Sequence, residues 1–100
     1  MEKKPPHCKL QVVKALVEIG SVRATASAYN GAHKLGIHDL AGMCAVVAAL
    51  TPSDFYKSMT THADHTIWQD VYHVRLQSGE DAYLKLTVID DVLIVSFKEL

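Results

Sequence analysis

The spacing of apolar residues changes near the middle of this 100-residue chain. Up to Leu50 apolar side chains recur every three or four residues, whereas from Phe55 onward they alternate with polar ones. The first spacing is typical of helices with one buried face, and the second is typical of strands in a half-buried sheet. The order predicts an α+β fold in which N-terminal helices pack on a C-terminal antiparallel sheet.

Cap and turn residues divide each half into elements. In the first half they predict a helix that ends at Gly20, a helix over residues 25–35 that stops at Gly36, and a helix that follows the N-cap residue Asp39. In the second half, polar connections separate four predicted strands, which cover residues 55–59, 66–76, 82–89 and 92–98.

Length and composition limit the kinds of protein that this can be. One hundred residues predict a single domain over residues 1–100, because so short a chain closes one hydrophobic core. The longest apolar run, Met43 to Leu50, is far shorter than the roughly 20 residues that span a bilayer. The charged, proline-bearing start lacks the apolar stretch of a secretory signal. We therefore expect no membrane contact and a cytoplasmic location.

The net charge of −1 gives no overall signature of a nucleic-acid binder. A site for a polyanion must therefore come from local clustering, and strand pairing shows where a cluster could form. A two-residue turn at Asp90-Asp91 pairs the last two strands. The predicted pairs are Ile89 with Val92, Lys85 with Ser96, and Tyr83 with Lys98.

The sequence QSGED closes a second predicted hairpin. The predicted pairs are Leu76 with Ala82, Arg75 with Tyr83, and His73 with Lys85. These two registers separate the side chains by polarity, with Asp70 as the exception on the apolar face. That face carries Trp68, Tyr72, Val74, Leu76, Leu84, Leu86, Val88, Leu93, Val95 and Phe97. The opposite face carries Gln69, His73, Arg75, Tyr83, Lys85 and Lys98, with Lys57 on the neighbouring strand.

Such a basic face, with tyrosine and histidine in it, has two interpretations. Metal-free RNA cleavage needs a base for the ribose 2′-OH, cations for the charge on phosphorus, and an acid for the leaving oxygen. Lysine, arginine, tyrosine and histidine can supply these roles. The alternative is a solvated sheet face, since exposed lysines and arginines on strands are common and prevent edge-to-edge aggregation.

A metal-dependent hydrolase is another alternative, with His62, Asp64 and His65 as candidate ligands. The pattern is weak because neither an HExxH helix nor a second ligand cluster accompanies it, so we expect no bound metal and no cofactor. Trp68 alternates in phase with Tyr72 and Val74, which favours a core position over a base-stacking one.

Two long segments, SDFYKSMTTHADHTIWQDVY and YLKLTVIDDVLIVSFKEL, resemble the MqsR family, the toxin half of a bacterial type II toxin–antitoxin pair. The start MEKKPPH is similar as well, whereas residues 8–50 agree more in layout than in letter. The resemblance implies a RelE/YoeB-like fold and a metal-independent endoribonuclease that cuts mRNA at short GC-containing sequences, through the ribose 2′-OH, and so inhibits translation.

The resemblance also implies site residues and a partner. The family's proposed catalytic residues fall on Lys57, Gln69, Tyr83 and Lys98. Further candidates for RNA binding are His7, Tyr56, His73, Arg75 and Lys85. The implied partner is an MqsA-like antitoxin with a zinc site and a helix-turn-helix, through which the pair would contact DNA indirectly. A chain that keeps the fold and the antitoxin but no longer cuts RNA is the competing interpretation. His73 stands where a basic residue is expected in the family.

Overall fold

The computed structural model describes residues 1–100 as three helices that cover one face of a six-stranded sheet. The helices are α1 (Leu10–Glu18), α2 (Ala26–Lys34) and α3 (Leu40–Ala49). The strands are β1 (Glu2–Lys3), β2 (Val22–Ala24), β3 (Phe55–Thr60), β4 (Trp68–Arg75), β5 (Asp81–Ile89) and β6 (Asp91–Glu99). A short 3₁₀ turn, Pro52–Asp54, leads from α3 into β3.

The sheet has the order β1-β3-β4-β5-β6-β2. Its central strands are antiparallel, but β2 runs parallel to β6. The predicted α+β fold with helices packed on one face is confirmed. The two short edge strands, β1 and β2, were not predicted, and because of β2 the sheet is not wholly antiparallel.

The predicted helices are confirmed, together with the residues that end them. Thr25 and Asp39 each accept a hydrogen bond from the backbone N–H three residues further on, at 3.0 and 2.7 Å. Gly20 and Gly36 follow their helices with φ of 79° and 82°, a region in which glycine is not strained. No helix is long and apolar enough to cross a membrane.

The core lies between the helices and the covered face of the sheet. Met43 and Val47 of α3 and Val13 of α1 are fully buried against residues of the central strands. Helix α2 lies so close to β6 that a side chain at Gly31 would collide with the backbone of Phe97. This close approach fixes β6, and with it the residues on its opposite face.

The hairpin between β4 and β5 has a different register from the predicted one. His73 lies opposite Tyr83 and Arg75 opposite Asp81, whereas the prediction paired these two residues with Lys85 and Tyr83. The error is a shift of two residues, because the prediction centred the turn on Gly79, whereas the observed pairs centre it on Ser78. Because side chains alternate with a period of two, such a shift leaves every side chain on its predicted face.

The hairpin between β5 and β6 is partly as predicted. The pairs Lys85 with Ser96 and Tyr83 with Lys98 are confirmed, but Ile89 pairs with Asp91 and not with Val92. The turn consists of Asp90 alone, with φ of 67°, so the pairing starts one residue out of step.

A bulge corrects the difference further along the hairpin, where Val95 has no partner between the pairs Leu86–Ile94 and Lys85–Ser96. As a result Val92 and Ile94 are buried in the core, and the prediction that Leu93 and Val95 face it is wrong.

Asp70, the one charged residue on the predicted apolar face, does lie there and is only 4% exposed. Its two carboxylate oxygens accept hydrogen bonds from the backbone N–H groups of His7 and Cys8, at 2.9 and 3.0 Å. A buried carboxylate needs such donors, and these two attach the N-terminal segment to the middle of the sheet.

Candidate active site

The face of the sheet that the helices leave uncovered carries a row of four side chains from four adjacent strands: Tyr56, His73, Tyr83 and Lys98. The rings of Tyr56 and His73 stack with centroids 4.1 Å apart and planes 17° apart, and His73 lies 5.7 Å from the Tyr83 ring. Lys98 Nζ is 5.1 Å from the centre of that ring. Neighbouring strands lie about 4.8 Å apart, so the register brings His73, Tyr83 and Lys98 together. Tyr56 joins them at the register shift of β3 between Phe55 and Lys57.

A second row lies one step along the strands and carries Lys57 and Lys85 on either side of Val71. Val71 is fully buried although it is on the uncovered face. Lys57 Nζ lies 5.6 Å from the centre of the Tyr56 ring, and Lys85 Nζ lies 5.9 Å from that of Tyr83. The two rows together place three ammonium groups around two tyrosines and a histidine, and we call them the cationic face.

Two cations on this side of the sheet are paired with carboxylates. Lys57 Nζ donates a hydrogen bond to Glu2 Oε2 at 2.8 Å, and Arg75 contacts both carboxylate oxygens of Asp81, at 3.0 and 3.4 Å. The third ion pair of the protein, Arg23 with Asp91, belongs to the β2 edge. Lys85 and Lys98 therefore have no carboxylate partner and are the free cations of the cationic face.

The ion pair sets the charge of Lys57. Its hydrogen bond with Glu2 raises the pKa of Lys57, and the same bond lowers the pKa of Glu2. Lys57 is consequently a permanent cation near neutral pH, which suits the stabilisation of negative charge and not the removal of a proton. Glu2 was absent from the predicted site, since a two-residue strand gives no periodic signal in the sequence.

Gln69 lies on the same face but is not brought next to the row of rings. It precedes His73 by four residues in β4, which corresponds to roughly 13 Å along an extended strand. Its register partner on β3 is Met59. A substrate that contacts both Gln69 and Tyr83 must extend along the strands.

His7 lies on the other side of the sheet. Its ring stacks on Trp68, with centroids 5.5 Å apart, and its Nδ1 lies 3.0 Å from Lys3 Nζ. Lys3 Nζ also lies 4.2 Å from the centre of the Trp68 ring. The prediction that Trp68 belongs to the core is wrong, because it is half-buried outside the core cluster and is covered by these two residues.

In the histidine-rich loop between β3 and β4, the carboxylate of Asp64 forms its hydrogen bonds with another residue of the same loop. Asp64 Oδ1 accepts hydrogen bonds from the backbone N–H and the hydroxyl of Thr66, at 2.8 and 2.6 Å, and these bonds lower the pKa of Asp64. Neither here nor elsewhere do three or more histidine, cysteine, aspartate or glutamate side chains lie together in a way that could hold a metal ion.

The sequence matches a protein-family model described as "Motility quorum-sensing regulator, toxin of MqsA" over residues 5–99. The chain belongs to the MqsR toxin family. It is also 62% identical over 99 residues to "mRNA interferase toxin MqsR" of Escherichia coli (strain K12), and the alignment covers 99% of each chain. The resemblance inferred from the two long segments is thus confirmed, and it extends through residues 8–50, where layout alone had suggested it.

Most of the site residues that the resemblance to the MqsR family assigned lie on the cationic face. Three of the four residues to which the family resemblance assigned catalysis, Lys57, Tyr83 and Lys98, lie within the two adjacent rows. Of the five further candidates, Tyr56, His73 and Lys85 are in these rows, Arg75 is one step beyond them, and His7 is on the opposite face.

Proposed function

We propose that this chain is the toxin of a toxin–antitoxin pair and that it cleaves mRNA on its cationic face, which stops translation. The observation that carries the proposal is the concentration of three lysines around two tyrosines and a histidine in a protein whose net charge is −1. A polyanion has one place on the uncovered sheet where cations and proton-carrying groups meet. The 62% identity to a protein named as an mRNA interferase toxin supports mRNA as the substrate.

The proposed reaction is a transesterification. The ribose 2′ oxygen loses its proton to a base and attacks the adjacent phosphorus, and the bond from phosphorus to the 5′ oxygen breaks. The 5′ oxygen takes up a proton as it leaves, so the products carry a 2′,3′-cyclic phosphate and a 5′-hydroxyl. The extra negative charge on the phosphorane has to be held by fixed cations. Lys57 and Lys98 are assigned this role, and the raised pKa of Lys57 keeps it charged for it.

Tyr83 is assigned the transfer of a proton. Its ring lies near the ammonium groups of Lys98 and Lys85, whose Nζ atoms are 5.1 and 5.9 Å from the ring centre, so this phenol has two lysines beside it. Gln69 is assigned the positioning of the RNA further along β4. Tyr56, His73, Lys85 and Arg75 are assigned to RNA binding. His7 keeps this assignment only for RNA that also reaches the opposite face of the sheet, where its ring stacks on Trp68.

We further propose that the cuts fall at short GC-containing sequences and that the reaction takes place in the cytoplasm. The antitoxin would be a protein like MqsA with a zinc site and a helix-turn-helix, and DNA would be contacted through it and not by this chain. The family description, which names the toxin of MqsA, supports the antitoxin as the partner.

The test is cleavage of a defined mRNA by the purified protein in excess EDTA, with the new 5′ ends mapped. We expect cuts at short recurring sites that Lys57→Ala and Tyr83→Ala both abolish while circular dichroism shows an intact fold. Tyr83→Phe should be as inactive as the alanine variant, and full cleavage by a folded Tyr83→Phe protein would refute proton transfer by the phenol. Absence of cutting by the folded wild-type protein, with or without ribosomes or added metal, would refute the proposal in favour of a binding module.

A further inference from the structure

His73 occupies the middle of the cationic face. Its ring lies between Tyr56 and Tyr83, with centroids 4.1 and 5.7 Å away, and it is half-buried. The histidines whose ring nitrogens form hydrogen bonds within the protein are His7, His33 and His38. Both ring nitrogens of His73 are thus available to a ligand that binds over this row.

The groups that face His73 come from every neighbouring strand. Those on β3 and β1 are Tyr56, Lys57 and Glu2, those on β5 are Asp81, Tyr83 and Lys85, and β4 and β6 contribute Arg75 and Lys98. Lys4, just after β1, completes the set, with its Nζ 6.0 Å from the centre of the Tyr56 ring. Glu2 and Asp81 neutralise Lys57 and Arg75, but Lys85 and Lys98 remain unpaired. The surface around His73 therefore carries ammonium groups that no carboxylate of the protein neutralises.

An RNA phosphate that binds over this row would bring negative charge next to the His73 ring. Negative charge within a few ångströms of an imidazole favours its protonated form, and stacking on the face of Tyr56 stabilises the resulting cation. We propose that His73 binds the RNA backbone as an imidazolium that forms when the RNA arrives, so that RNA binding takes up a proton at this position. This inference rests on the proposed function, because it assigns the same face to RNA.

The sign of the effect follows from linkage. A ligand that strengthens proton binding is itself bound more tightly when protons are abundant. Imidazoles change charge between about pH 5 and 8, so RNA affinity should be highest at the acidic end of this range and fall as the pH rises. An arginine at position 73 would be charged throughout and would bind RNA without this dependence.

The experiment is a titration of a fluorescent 2′-fluoro RNA of mixed sequence, which cannot be cleaved because it lacks the attacking hydroxyl. Its dissociation constant is measured between pH 5.5 and 8.5 at fixed ionic strength for wild type, His73→Gln and His73→Arg. His65→Gln, in the loop between β3 and β4, is the matched control. Calorimetry in two buffers of different ionisation enthalpy counts the protons taken up.

We expect the wild type and His65→Gln to lose roughly tenfold in affinity across this range, the usual size of a coupling between two binding events. His73→Gln should bind weakly with little dependence on pH, and His73→Arg should bind tightly with little dependence on pH. A wild-type affinity that does not change with pH, or a His73→Gln protein that keeps the wild-type slope, would overturn the inference. If the wild type also cleaves ordinary RNA, only the inference fails; if it neither binds nor cleaves RNA, the proposed function fails with it.

Discussion

Glu2 and Lys57 are 55 positions apart in the chain, yet Glu2 Oε2 accepts a hydrogen bond from Lys57 Nζ at 2.8 Å. The contact exists because β1 pairs with β3, with Glu2 opposite Met59 and therefore diagonal to Lys57 on the same face. The Glu2 side chain is 60% exposed and that of Lys57 25% exposed, so the carboxylate is the more accessible group of the pair. A phosphate that binds Lys57 has to compete with this carboxylate.

Glu2→Gln should consequently strengthen RNA binding. The substitution removes a negative charge that competes with phosphate for Lys57, and the contribution of an exposed ion pair is small, corresponding to at most roughly fivefold in affinity. We expect the dissociation constant for an uncleavable RNA to fall by a factor of this size, and by less at high salt. Asp91→Asn is the matched control, since it makes the same change in net charge at the β2 edge and should leave affinity unchanged. Equal affinity of Glu2→Gln and wild type would show that RNA does not compete for Lys57.

Lys85 is expected to contact a phosphate directly, because it lies beside Tyr83 and has no carboxylate partner. For single-stranded nucleic acids, loss of one phosphate contact lowers the slope of log affinity against log salt by about 0.7. Lys85→Met should show this lower slope in binding titrations from low to moderate salt. Lys34→Met, which removes an exposed lysine of α2, should keep the wild-type slope. If both variants show the same slope, the phosphates lie elsewhere.

Asp70 is predicted to contribute strongly to stability. It is buried and accepts two hydrogen bonds from the backbone N–H groups of His7 and Cys8, so Asp70→Ala should lower the free energy of unfolding by about 2 kcal/mol. Urea unfolding measures this difference. Asp64→Ala also removes two hydrogen bonds, but from an exposed loop, and should cost clearly less. A similar cost for both variants would contradict the importance of burial at Asp70.

The sequence predicts most where a pattern is long enough to repeat. Each helix contains several turns, and each of the four long strands contains several alternations of apolar and polar residues. The sequence therefore predicts where these elements begin and end. Strands of two and three residues, such as Glu2–Lys3 and Val22–Ala24, contain no period, and they form because longer strands offer free edges. For the same reason the partner of Lys57 could not be predicted.

The faces of β6 show a second limit. The positive φ of Asp90 shortens the turn by one residue, and the bulge at Val95 restores the register before Ser96 and Lys98. The predicted β6 partners of Lys85 and Tyr83 are therefore right, although the register nearer the turn is wrong. The alternation of residues in the sequence could not have located the bulge, because its position depends on the packing of Val92 and Ile94 beneath the helices.

Tyr72 gives a prediction about alkaline pH. Its side chain is 1% exposed and its hydroxyl has no hydrogen-bond partner, and burial together with the negative charge of Asp70 raises the pKa of the phenol strongly. In the unfolded chain the phenol ionises near pH 10, whereas in the folded protein it keeps its proton to higher pH. The stabilisation that this provides is complete below about pH 10 and is lost as the pH rises toward the value of the folded state.

Tyr72→Phe removes both the unpaired hydroxyl and this titration. The Phe side chain keeps the edge contact with Phe55, whose ring centroid is 5.6 Å away, so the free energy of unfolding at pH 7 should be unchanged or up to about 1 kcal/mol higher. Between pH 9 and 11 it should fall less steeply than that of the wild type. Urea unfolding at pH 7, 9 and 11 tests both points, with Tyr29→Phe as the control at an exposed tyrosine of α2. A loss of 2 kcal/mol or more at pH 7, on the scale of a buried polar group left without its partner, would mean that the Tyr72 hydroxyl has a hydrogen-bonded partner in solution.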